Sequence, residues 1–220
     1  MDFMSVIDII TIIIYVFYII LLVVALFLYC LISFTFKKKN KIAVDADLPD
    51  NYDEQINIKS VHEAGHAVMA YLQDTKDFEV FMSYDSAKTV VTYKSQKAED
   101  VKKMILVKYS GAIAEELLLG ELSAGSIGIL NSNADFPSAT ELIRAYIVMT
   151  EPTVSKTLLN EELADLIISA SNSFYKEATE ILSKNKEMLV VISDELKSKD
   201  SLKKDEIIQL LTNISKEKYK

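Results

Sequence analysis

The two histidines of this chain both fall in the segment Val61-His62-Glu63-Ala64-Gly65-His66-Ala67-Val68. On a helix, residues four apart project from one face about one turn apart, so His62 and His66 can reach the same zinc ion. Glu63 stands beside the first of them. There it can take a proton from a water whose pKa zinc lowers towards ~7. The chemistry this implies is hydrolysis by an activated water, with no covalent enzyme intermediate. Two surface histidines flanking a glutamate would be the plainer explanation of the pattern. The apolar neighbours argue against it, because a cluster of unpaired polar side chains on a partly buried helix is costly.

Catalytic zinc usually keeps three protein ligands and one open position, so a third donor must come from elsewhere in the chain. The extended pattern with a third histidine ten residues after the first is excluded: Leu72 stands at that position, and Met69 stands where that pattern has glycine. Carboxylates remain. Glu115 and Glu116 occur in Ser110-Gly111-Ala112-Ile113-Ala114-Glu115-Glu116-Leu117, and Asp135 in Asn131-Ser132-Asn133-Ala134-Asp135-Phe136.

The elements that must position these groups can be read from apolar periodicity and turn residues. Val61, Ala64, Val68, Tyr71 and Leu72 recur at helical spacing, which predicts a helix over 59–72. Two β-rich runs, 78–83 and 89–94, flank Tyr84-Asp85-Ser86-Ala87-Lys88 and suggest a small hairpin. Helices are then expected over 98–119, 137–150, 161–183 and 186–197, with a short one from Lys204. The glycines at 120, 125 and 128 punctuate the gap between two of them. Leu117, Leu118 and Leu119 beside that gap either line the site or fill core, and core is the better reading. The class is mainly α with a small β-hairpin or sheet, and the domain is expected to run over 58–212.

Several ordered motifs in this stretch resemble the peptidase domain of the FtsH-type membrane-bound, ATP-dependent zinc proteases. They are His62-Glu63-Ala64-Gly65-His66-Ala67, then Gly111-Ala112-Ile113-Ala114-Glu115-Glu116, then Ala124-Gly125-Ser126 with Asn133-Ala134-Asp135, then Ala139-Thr140-Glu141-Leu142-Ile143-Arg144. The segment from Ala178 to Leu211 looks like that family's final helices. The resemblance implies an FtsH-type zinc peptidase fold, Zn2+ as cofactor, and Asp135 as third ligand beside His62 and His66. The loop departs from the family pattern, with extra residues between Ser126 and Asn133 and with Ala134 and Pro137 near the aspartate. Glu115 and Glu116 are then candidates to orient a histidine from behind.

The resembled family couples its peptidase to an ATP-driven unfolding module with a P-loop, G-x-x-x-x-G-K-[ST]. No glycine in this chain precedes a lysine. The expected substrates are therefore peptides, unfolded polypeptides, or chains delivered by a separate ATPase or membrane partner. The family's ring assembly is tied to the ATPase module, so no oligomeric state is carried over. The hairpin offers an edge against which an extended substrate can add as a strand. A rival of another class is a non-catalytic, membrane-tethered adaptor that keeps zinc as a staple. Glu63 argues against it, since a structural site needs no general base.

The rest of the chain suggests where such a site would work. After a leader of residues 1–8, no residue from Ile9 to Phe36 is charged. At ~1.5 Å per residue such a run exceeds the ~30 Å hydrocarbon core, which predicts one N-terminal transmembrane helix over 9–36. A cleavable signal would have a basic start and a shorter apolar stretch, whereas Asp2 and Asp8 precede this one. The basic cluster from Lys37 to Lys41 follows the run. By the positive-inside rule the N-terminus lies outside and the domain lies in the cytosol of a bacterial cell. Residues 37–57, basic then acidic, are expected as a tether, and 213–220 as a charged tail. The net charge of -8 excludes a role built on phosphate-backbone contacts, so no nucleic-acid partner is expected. The lone Cys30 allows neither an internal disulfide nor a cysteine-rich metal site.

Overall fold

The computed structural model describes residues 52–83, 85–123, 134–151 and 160–217. In chain order these form α1 (Tyr52–Leu72), β1 (Asp77–Met82), β2 (Ala87–Thr92), α2 (Ala98–Leu118), α3 (Asp135–Thr150), α4 (Asn160–Lys184), α5 (Lys186–Leu196), β3 (Ser201–Lys203) and α6 (Lys204–Glu217). The mainly helical class with a small sheet agrees with the sequence. Residues 9–36, the basic cluster after them and the glycine loop from Ala124 to Asn133 lie outside the described residues. Among the described residues no helix is long and apolar enough to cross a membrane.

α1 runs through the middle of the packing, against α2, α5 and the sheet. Its buried face is built from small residues, Ala64, Ala67 and Ala70, with Val61, Val68 and Met69 filling the spaces between helices. At Gly65 an added Cβ would stand 2.2 Å from the Ser110 carbonyl oxygen and 2.8 Å from the Ala114 Cβ. Only glycine permits α1 and α2 to approach so closely. α2 is correspondingly enclosed, with every residue from Tyr109 to Glu115 buried. A helix buried on all sides loses the one-sided apolar stripe of a surface helix. α3 and α4 also pack against α2.

β1 carries the alternation of a half-buried strand: Phe78, Val80 and Met82 point into the core and Asp77 and Phe81 outward. It is the central strand of the order β2-β1-β3. The β1–β2 ladder runs antiparallel from Asp77↔Thr92 to Met82↔Ala87. β2 thus begins two residues before the expected start and ends at Thr92. The turn explains the early start, since Ser83 Oγ accepts from the Ser86 amide at 3.0 Å and closes the loop tightly. Beyond Thr92 the chain turns away, with Lys94 paired to Asp74 and Ser95 bonded to Asp100.

Three further features differ from the sequence reading. α1 begins at Tyr52, so the last residues assigned to the acidic tether, 52–57, are helical, with Asp53 and Glu54 in the first turn where the helix dipole favours carboxylates. α6 reaches Glu217 and takes in residues 213–217 of the expected charged tail. β3 was not anticipated. It is three residues long, and Leu202, fully buried opposite Val80, is its one core contribution.

Candidate metal centre

The site is assembled by three helices and one strand. α1 presents His62, Glu63 and His66, α2 runs behind them, α3 brings Asp135 at its first residue, and β2 closes one side. His62 Nε2 and His66 Nε2 lie 3.0 Å apart. Asp135 Oδ2 stands 3.0 Å from each of them. The two rings meet edge to face at 85° with centroids 4.7 Å apart.

The far side of each imidazole fixes its tautomer. His62 Nδ1 faces a Glu115 oxygen at 2.7 Å, and His66 Nδ1 faces the Val107 carbonyl at 2.6 Å. Carboxylate and carbonyl oxygens accept, so both Nδ1 atoms donate and both Nε2 lone pairs turn inward, towards each other and towards Asp135. Three electron-rich atoms converging at 3.0 Å repel unless a cation lies among them. Tetrahedral zinc with bonds of ~2.0–2.1 Å would set its ligand atoms about 3.3 Å apart, so this donor triangle fits such an ion. His62, His66 and Asp135 are a group among the described residues able to hold a metal.

The electrostatics agree. Burial alone would lower the His62 pKa, but hydrogen bonds to Asp135 and Glu115 and the charges of Glu63 and Asp135 outweigh it and push the imidazole up to about 10. Burial would raise Asp135, yet when the rings are protonated, their N–H groups standing where a cation would, the charge of His66, hydrogen bonds from both imidazolium rings and the Lys108 ammonium hold its carboxyl far below the usual range. Both shifts describe a place that favours positive charge. Asp135 itself sits at the N-terminus of α3, where the helix dipole favours an ionised carboxylate, with Pro137 in the first turn, where a missing N–H costs nothing.

The sequence motifs acquire specific jobs. Gly111 lies against the imidazoles: a Cβ there would come within 2.6 Å of His62 Nε2 and 2.7 Å of His66 Nε2. Glu115, buried on α2, holds His62 through one oxygen and accepts the Ser123 amide at 2.7 Å through the other. Glu116, expected as its equivalent, is not brought to the histidines. It points out one helical step further round, where its carboxylate accepts the Tyr175 hydroxyl at 2.6 Å. Leu117, Leu118 and Leu119 pack on the core and do not line the site.

Glu63 is buried beside the imidazoles and takes a 2.6 Å hydrogen bond from Thr89 of β2. Together these groups open onto a cavity of about 430 Å³, also lined by Val91, Tyr93 and Lys108. Burial and the nearby Asp100 raise the Tyr93 phenol, which keeps it neutral. Thr89, Tyr93 and Lys108 were missed from sequence. Their contacts span long stretches of chain, and no spacing rule points to them.

A buried H-E-x-x-H helix, a carboxylate from a following helix and an adjoining cleft form the kind of centre that metal-dependent hydrolases use. Comparison with known proteins adds a name to that class. No family model matches the chain. One curated relative, ATP-dependent zinc metalloprotease FtsH 2 of Thermoanaerobacter sp. (strain X514), is 25% identical over 189 residues, covering 78% of this chain and 34% of the relative. The chain thus spans about a third of that protein's length. The similarity points to an FtsH-related protease region and, at that coarse level, to zinc as the metal.

Proposed function

We propose that the chain is a zinc-dependent endopeptidase acting on extended polypeptide, with His62, His66 and Asp135 as metal ligands and Glu63 as general base. One observation carries the reading: the inward lone pairs of the two imidazoles and one oxygen of Asp135 meet at 3.0 Å beside the buried Glu63. Zinc, when bound, acidifies water and polarises a carbonyl. The remaining work falls to side chains. Glu63, held by Thr89, takes the proton from the attacking water and returns it to the leaving amine. Glu115 and the Val107 carbonyl keep both imidazoles in the tautomer that presents Nε2.

β2 supplies the substrate track. Among the described residues it ends the sheet, paired there with β1 alone, and it carries both Thr89 and residues of the cavity wall. A peptide adding antiparallel or parallel to this edge would lie across Glu63 and the imidazoles. Unfolded chains and peptides are the substrates this track suits, since only an extended backbone can pair with a strand edge. The apolar run 9–36 followed by Lys37–Lys41 supports anchoring as a single-pass protein with the site on the cytosolic face.

The test is digestion of casein by the full chain in detergent with zinc, beside Glu63→Gln. Cleavage by the wild type, with a loss of about 10²–10⁴-fold in the variant at equal metal content, is the expected result. Equal metal in both forms and no cleavage by either would establish the non-catalytic adaptor instead.

A further inference from the structure

The lysine on Asp135 is not used in that reading. Lys108 Nζ donates to Asp135 Oδ1 at 2.9 Å, while Oδ2 of the same carboxylate faces both imidazoles at 3.0 Å. An ordinary surface ion pair would be the plainer account, but Asp135 is only 14% exposed and its other oxygen is committed to the site. Lys108 also belongs to a set. Val107, Lys108, Gly111 and Glu115 lie along one stripe of α2, and from there they hold His66, Asp135, the packing of the ring pair and His62 respectively.

A carboxylate beside a dication can bind through one oxygen or close on it with both. With both, Asp135 would crowd the position that solvent and substrate need. The charges point the same way. Glu63, Asp135 and Glu115 bring three negative charges to a dication, and the Lys108 ammonium supplies the balancing one. We propose that Lys108 is a positioning residue that ties up Asp135 Oδ1, so that the aspartate offers the metal a single oxygen and one coordination position stays open.

This rests on the zinc-site reading, and Co(II) substitution separates the two. The full chain, stripped of metal and loaded with Co(II), is compared as wild type, Lys108→Met and Lys108→Arg. The wild type should show the intense visible bands of a four-coordinate ion. In Lys108→Met those bands should weaken several-fold as the second oxygen joins. Metal affinity should stay equal or tighten, and kcat should fall by about 10–100-fold with KM little changed. Lys108→Arg keeps a charged donor for Oδ1 and should retain the wild-type spectrum. Wild-type protein that takes up no Co(II) overturns the metal site and this proposal with it. Uptake by the wild type with the weak bands of higher coordination overturns the proposal alone. So does a Lys108→Met protein with unchanged bands and kcat, or one that merely loses metal.

Discussion

At the scale of single residues, the donors differ in how they are held, and that difference can be measured. Asp135 contributes an atom to the triangle itself, Glu115 acts through the His62 ring, and Glu116 is occupied by Tyr175. Asp135→Asn should therefore cost most of the metal retention, Glu115→Gln about 10–100-fold, and Glu116→Gln nothing outside error. Elemental analysis after dialysis against a graded chelator series reads this order, and Glu116→Gln falling below Glu115→Gln would refute it. The same residues show what a sequence can disclose. His62, Glu63 and His66 are legible because the helical period alone fixes their relation. Asp135 is 69 positions from His66 and was singled out from the other candidate carboxylates only through the surrounding pattern. Glu115 and Glu116 are adjacent and identical in type, and only the packing of α2 decides which faces inward. Lys108 gave no signal, since Lys102 and Lys103 on the same helix look the same in sequence and pair elsewhere.

At the scale of elements, the site depends on how closely α1 and α2 approach, and two glycines control that approach in different ways. The Cβ of Gly65→Ala would strike the Ser110 backbone, which cannot yield without separating the helices. That of Gly111→Ala would strike imidazole atoms, which can swing aside. Gly65→Ala should thus lose about 1–3 kcal/mol of stability in denaturant unfolding. Gly111→Ala should keep nearly all its stability while its metal affinity drops at least tenfold. Equal loss of stability in both variants would show that the imidazoles are as immovable as the backbone. Helix positions were largely legible, because apolar periodicity and turn residues act locally. The start of α1 was not, because the first turn of that helix is acidic and reads like a linker. β3 escaped notice because three residues carry no periodicity, and its strand character exists only through pairing with β1.

At the scale of the whole chain, topology decides which substrates the site can meet. Asp2 and Asp8 precede the apolar run and Lys37–Lys41 follows it, so residues after the run should face the cytosol. In intact spheroplasts an added protease should leave a tag at residue 220 untouched, and permeabilisation should expose it. Cleavage of the tag from outside would reverse the orientation and the cytosolic substrate class with it. The pairing of β3 with β1 has a mechanical consequence of its own. Through Val80↔Leu202 and the bond from the Met82 amide to the Asp200 carbonyl, a short ladder joins the start of the fold to its end. All of α2 to α5, and with them Lys108, Glu115 and Asp135, belong to one loop fastened by that ladder. The ladder therefore closes that loop like a clasp, holding β1 to the C-terminal end of the fold.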